Sequence, residues 1–257
     1  MSIVPGKEIP LVLIVAAIVT ISASIVLSRK GKIKVQIRRL PALEVIKDII
    51  ARAAEEGRMI FNIDGHGLGG GDTDRGPQHT AAVQLGEYVA HQAALSSVRT
   101  QSYYAWPEFV AYASDKIRES LLLAGHPELF TEDTVNYTSG QSWGHAITVM
   151  GEIVKHDPAG VILVGAWSGE ALLIAEAASF HDAITIGGAI APGTVAMFVP
   201  VCSYNLYGGE IYAAEAVVSD DPTSKGSIFG QDLVNIGGLI LIAISIAIVL
   251  IRGTKLG

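Results

Sequence analysis

Residues Gly160 to Ala178 read GVILVGAWSGEALLIAEAA, and this stretch decides the fold. Its first half is an unbroken apolar run of strand length, and its second half repeats apolar residues at the 3.6-residue period of a helix. A strand apolar on both sides belongs inside a sheet covered on two faces, and the helix behind it is the crossover that parallel pairing needs. The same theme recurs on either side. Candidate strands are Met59 to Ile63, Val98 to Tyr103, Thr134 to Thr138, Val161 to Gly165, Ala183 to Ile186 and Met197 to Val201. Candidate helices are Gln78 to Leu95, Pro107 to Ala124, Trp143 to Lys155, Gly169 to Phe180 and Gly209 to Val218. Such alternation predicts an α/β fold, a Rossmann-like, mostly parallel sheet with helices on both faces.

Upstream, PALEVIKDIIARAAEEG (Pro41 to Gly57) places Leu43, Val45, Ile46, Ile49, Ile50 and Ala53 on one helical stripe, with Pro in the first turn and Gly as a stop. Ile33, Val35 and Ile37 alternate with polar neighbours, which predicts a half-buried edge strand over Lys32 to Arg38. The segment SDDPTSKGS (219–227) reads as a flexible hinge.

Two uncharged apolar runs bracket this body: IPLVLIVAAIVTISASIVL (Ile9 to Leu27) and LVNIGGLILIAISIAIVLI (Leu233 to Ile251). Each is long enough as a helix to cross about 30 Å of hydrocarbon, and the first is longer than the core of a signal peptide needs to be. The expected organisation is a transmembrane helix in 1–28, a basic collar and edge strand in 29–40, a soluble α/β domain in 41–232, and a second transmembrane helix and tail in 233–257. Arg29, Lys30, Lys32, Lys34, Arg38 and Arg39 follow the first run and Lys225 precedes the second, against Lys7, Arg252 and Lys255 on the far sides. Cytoplasmic flanks are enriched in Lys and Arg, so the expected protein is a two-pass protein of the cell membrane with the body in the cytoplasm.

From Leu40 to Asp232 there are nine Lys or Arg against 24 Asp or Glu, a balance of about −15 that argues against nucleic-acid binding. The basic collar suits anionic lipid headgroups. A single cysteine, Cys202, excludes an intrachain disulfide and a Cys-based zinc or iron–sulfur site held by this chain alone. Neither apolar run holds an ionisable residue, which disfavours a transporter or channel.

In open parallel sheets ligands bind beyond the carboxyl ends of the strands. The richest such turn is DGHGLGGGDTDRG (Asp64 to Gly76), where Gly65, His66, Gly67, Gly69, Gly70 and Gly71 could bring backbone N–H groups onto an anion at a helix start. The pattern is not a P-loop and does not run directly into a helix as a dinucleotide fingerprint does, and Asp64, Asp72 and Asp74 oppose a phosphate. A flexible loop is the plainer reading. Asp64, His66, Asp72, Asp74 and His79 are metal-binding residue types whose spacing matches no ligand motif, so no metal and no cofactor is assigned. Other strand ends contribute Tyr103, Tyr104 and Trp106; Ser139, Gln141 and Ser142; Trp167, Ser168 and Glu170; and Gly187 and Gly188, which a parallel sheet gathers into one polar, aromatic-walled crevice. Ser168 in GAWSGE sits one place late for a nucleophile elbow and reads as a helix cap; Ser139 or Ser142 reads likewise, and His145, His91, His126, His156 and His181 read as isolated structural histidines. No catalytic residue is assigned.

The stretches RRLPALEVIKDIIARAAEEGR, DGHGLGGG, AAVQLGEYVAHQAA, GVILVGAWSGEALLIAEAA, APGTVAMFVP and GEIYAAEAVV, with the closing apolar run, resemble an uncharacterised family of prokaryotic membrane proteins, a domain of unknown function. The resemblance spans Arg38 to Leu250 and implies a membrane-anchored α/β domain with no activity attached. With no complete catalytic motif, the leading expectation is a scaffold or assembly subunit of a homo-oligomeric membrane complex. Its partners are the lipid bilayer and further copies of itself, through the small-residue stripes Ala16, Thr20, Ser24 and Ala243, Ala247. The alternative is a ligand-binding sensor or enzyme that uses the Gly-rich loop and the crevice for a nucleotide or other small anion.

Overall fold

The computed structural model describes residues 8–67 and 75–253. These divide into two compact units, residues 38–219 and the flanking segments on either side of them.

The body is built on parallel strands β1 (Ile60–Ile63), β2 (Thr100–Tyr104), β3 (Val135–Tyr137), β4 (Gly160–Val164), β5 (Ile184–Ala189) and β6 (Tyr204–Tyr207), in the order β3-β2-β1-β4-β5-β6. The chain therefore builds outward from β1 to β3, returns to β4, and builds outward the other way. The strand order reverses between β1 and β4, where Ile60 stands opposite Gly160 and Ile63 opposite Leu163. Alternation along β1 sends Ile60 to one face and Phe61 and Ile63 to the other. On the first face lie α3 (Ile46–Glu56), α4 (Arg75–Ala94), α5 (Pro107–Leu123) and α9 (Glu210–Val218). On the second lie α6 (Ser142–His156), α7 (Glu170–Phe180) and α8 (Pro192–Phe198). The short turn α2 (Pro41–Glu44) leads into α3, which ends at Gly57 in the left-handed region at φ +66°, as its sequence anticipates. The α/β expectation, with a parallel sheet and helices on both faces, holds.

Three readings are corrected. Met197 to Val201 is not a strand: Pro192 opens α8, which runs to Phe198, and the sixth strand is the following YNLY, an edge strand with only Leu206 buried. Residues 32–38 form no strand; Ile33, Val35 and Ile37 are half-covered, but no neighbour supplies a hydrogen-bonding ladder, and the sheet ends at β3 and β6. Nor is 219–227 loop throughout, since Pro222 to Ser227 are helical. The Asp221 carboxylate accepts the N–H groups of Thr223 (3.1 Å) and Ser224 (3.2 Å), Pro222 takes the first helical position, and α10 (Pro222–Gly253) runs from there through the apolar segment.

In the second unit, α1 (Glu8–Arg29) packs along α10. Stretches Ile9–Arg29 and Pro222–Ala247 are long and apolar enough to cross a membrane. Gly226 faces Ile25 and Ser28 while Gly230 faces Ile21 and Ser24, so the pair is antiparallel; a Cβ at Gly226 would lie 2.8 Å from the Ile25 Cα. Ser24 is thus buried within the chain, whereas Ala16, Ala243 and Ala247 are exposed.

Candidate functional site

The site grows from the reversal point of the sheet. Asp64 follows β1 directly, and its N–H donates to the Tyr103 carbonyl at 3.0 Å, continuing the ladder one residue past the strand. Its carboxylate is buried with His79 of α4, whose Nδ1 lies 2.6 Å from Oδ2. On the β4 side the chain must pass the other oxygen. Gly165 sits at φ +149°, and a Cβ there would stand 2.1 Å from Asp64 Oδ1, so the β4 turn accepts only glycine. Gly65 is equally constrained, since its Cβ would lie 1.9 Å from the Ala166 carbonyl oxygen and 2.7 Å from the Trp167 ring. Gly65 and Gly67 therefore permit two turns to close on each other, β1 against β4.

Around this contact three more elements converge. His66 Nε2 donates to the Gly140 carbonyl at 2.8 Å, because a carbonyl can only accept. Its ring stacks on Trp106 at 5.1 Å, and Trp106 Nε1 donates back to the His66 carbonyl at 2.9 Å. From the buried face of α6, His145 places Nδ1 2.6 Å from Thr138 Oγ1, which also lies 3.1 Å from the Tyr104 carbonyl. Ser142 Oγ donates to Glu170 Oε2 at 2.6 Å, and the other oxygen of this fully buried carboxylate accepts the Ser168 N–H at 3.1 Å. That contact replaces the expected side-chain cap: Gly169 holds the N-cap of α7, and Glu170 reaches back.

Burial sets the electrostatics. It pushes the Asp64 carboxyl above its ordinary value of 3.8, against the pull of His79. It pushes His145 down to about 4, with His66 adding to the effect and Glu170 and the Asp64 carbonyl opposing it. Tyr104 is raised by burial and then by Asp64. His145 is therefore neutral at physiological pH, and one of its ring nitrogens is an acceptor.

The decisive property is what stays unpaired. His66 Nδ1, His79 Nε2 and Trp167 Nε1 are buried without a hydrogen-bond partner; so, deeper in, are both polar atoms of Asn62. Protein interiors satisfy the large majority of such groups, and their concentration at one sheet edge marks a built feature. A small cavity lined by Asn62, Asp64, Gly86 and Tyr104 lies beneath them.

Among the residues singled out from sequence, Gly65, His66, Gly67, Ser142, Trp106, Trp167 and Glu170 meet here. Ser139 Oγ accepts the Gln141 N–H at 3.1 Å in the turn before α6. Gly187 and Gly188 serve the core: Cβ atoms would meet Phe198 and Cys202 at the first and Val164 at the second. Gly69, Gly70 and Gly71, with Asp72 and Asp74, lie outside the described residues. Among the described residues no three His, Cys, Asp or Glu are placed to hold a metal ion. Sequence reasoning missed His145 and Thr138, and it named Asp64 and His79 without seeing that they pair.

A family model describing a domain of unknown function, DUF6754, matches residues 3–256. The chain belongs to this family. No curated protein and no solved structure matches it. The family description carries no activity, so the DUF6754 fold is read through its own geometry. Gly65, Gly67 and Gly70 fall at the spacing of a dinucleotide fingerprint directly after β1, yet α4 opens only at Arg75, and β2 ends at Tyr104 with Ala105 and Trp106 after it, where such folds place a ribose-binding carboxylate.

Proposed function

We propose that this is a two-pass membrane protein, its body cytoplasmic, whose α/β domain binds a nucleotide or other small anionic ligand at the carboxyl edge of β1 and β4 and works as a sensor. One observation carries the reading: buried, unpartnered polar atoms gather at the point where the strand order reverses. Two tryptophans, Trp106 and Trp167, border the site and report on it. Purified full-length protein in mild detergent should show a raised melting temperature or altered tryptophan emission with adenosine or guanosine phosphates or inorganic phosphate, and His145→Asn should abolish the response. Silence toward all of them at millimolar concentration would remove the reading.

A second reading, self-assembly into a homo-oligomer that scaffolds a membrane complex, is favoured by apolar exposure on the α6–α7 layer, where Trp143, Ile147, Val154 and Phe180 face outward. Mass measurement in detergent tests it, and a monomer at every concentration would oppose it.

A further inference from the structure

The apolar runs of α1 and α10 are out of step. Gly226 of α10 lies against Ile25 and Ser28 of α1, and Gly230, one turn on, lies against Ile21 and Ser24. Two residues further along α10 and two back along α1, Asp232 comes level with Val19 to Ser22. When the uncharged run Ile9 to Leu27 fills the hydrocarbon, Asp232 lies about 8–12 Å inside it from the Leu27 end, too deep for so short a side chain to reach the headgroups. A layer fitted instead to Leu233 to Ile251 would hold only Ile9 to about Ser22 of α1, at most about 21 Å, which is too short to cross. Crossing by both helices therefore takes Asp232 below the surface. Two residues turn a helix by about 200°, so Asp232 stands on the side of α10 opposite Gly230 and α1. It is exposed, as are Gln231 beside it and Asn235 one turn on, and it has no hydrogen-bond or ion-pair partner among the described residues. Lys225, the nearest cation on α10, is about two turns away and paired with Asp220.

We propose that this face of α10 docks a transmembrane helix of another protein that presents a lysine or arginine at the same depth; this rests on the two-pass reading above and not on the ligand or assembly readings. Hydrocarbon offers a carboxylate no partner, and ionisable side chains within spans face a counter-charge, a bundle interior or a water-filled cavity. A pair of helices encloses no cavity, and α1 covers the other side of α10. A second copy is the wrong occupant. The membrane gives every copy the same orientation, so a two-fold contact through this face sets Asp232 beside Asp232 at equal depth, where like charges repel with little screening. A basic helix meets the carboxylate directly, and the amide oxygens of Gln231 and Asn235 are further acceptors for an ammonium or guanidinium. The Gln231 amide nitrogen donates to Ser227 Oγ at 3.4 Å, which leaves its oxygen to accept. The hairpin is then a recognition element as well as an anchor.

The test uses full-length protein in phosphatidylcholine vesicles. Cys202 is buried, so a dye can be attached to one added cysteine. Dyes on Val19→Cys and Asp232→Cys chains should both be quenched more by lipids brominated in mid-chain than by lipids brominated near the headgroup. Mid-chain quenching of neither overturns the two-pass reading; mid-chain quenching of Val19→Cys alone overturns the register and this inference while the two-pass reading stands. For docking, the partner is a synthetic Leu–Ala transmembrane helix with one central lysine, labelled to accept energy from a donor on the exposed position Val12→Cys. It should bind about tenfold more tightly than the same helix with leucine in place of the lysine, and Asp232→Leu should abolish the difference while Asp232→Glu keeps it. Equal binding of the two helices, or a preference that survives Asp232→Leu, overturns the basic partner. Energy transfer between copies of the protein that is lost in Asp232→Leu would instead give the face to a second copy.

Discussion

Lowering the pH from 7 to 5 should destabilise the body through His145. This imidazole is fully buried and titrates near 4 in the folded chain, against 6.5 when free. A base whose folded pKa is depressed binds fewer protons in the native than in the unfolded state, so its contribution is complete above 6.5 and is lost as the pH falls from there toward 4. With those two values the loss between pH 7 and pH 5 is about 2 kcal/mol, and about 3 kcal/mol once both states are protonated. Asp64 works in the opposite sense: its raised carboxyl binds a proton earlier in the folded state, which favours the fold as the pH falls from that raised value toward 3.8. The two are separated by comparing the chain with His145→Asn, which keeps a donor near Thr138 and removes the titrating group. All three tryptophans lie in the body, so urea unfolding followed by their emission reads this unit alone. The original chain should lose about 2 kcal/mol more than the variant between pH 7 and 5, roughly 1 M in the urea midpoint. Parallel pH profiles for the two proteins would refute the assignment of a depressed pKa to His145.

Gly165→Ala should cost about 2–4 kcal/mol in the same urea assay, since it combines a glycine-only φ with a Cβ set against Asp64; an unchanged midpoint would mean that the two turns are not in contact. Ser142→Ala removes the donor to a buried Glu170 oxygen and should cost about 1–3 kcal/mol, whereas an equivalent loss from Ser139→Ala would show that the Glu170 contact is unimportant. A cysteine placed at the exposed body residue Ser96 should resist a membrane-impermeant thiol reagent in intact cells and react after permeabilisation; labelling of intact cells would reverse the proposed orientation.

The sheet was legible because apolar runs such as GVILVGA leave few alternatives, and because each crossover helix carries its own period. β6 was not: an edge strand of four residues with one buried side chain has almost no pattern, and the more apolar MFVPV just before it competes for the assignment. Ile33, Val35 and Ile37 show the converse, since alternation reports which side chains are covered and says nothing about whether a neighbouring strand is available. At the site, the glycines after β1 were visible but their purpose was not: a Gly needed against Ala166 and Trp167 looks the same in sequence as one that admits a phosphate. Asp64, His79 and His145 come from a strand end and two different helices, and only the strand order brings them together. Their burial had no local signal, because a histidine on a helix reads as polar whichever face it occupies.

The pairing of α1 with α10 sets an order of events during synthesis. α1 is made before the body and its helical partner only after it, so a growing chain holds α1 alone while the entire sheet assembles. α1 is suited to that wait: Thr20 Oγ1 donates to the Ala16 carbonyl and Ser24 Oγ to that of Thr20, both at 2.8 Å, so these hydroxyls need nothing from α10. A chain halted after β6 would then carry a completed sheet and an α1 still without its partner, and the hairpin through Gly226 and Gly230 closes only once α10 has been made.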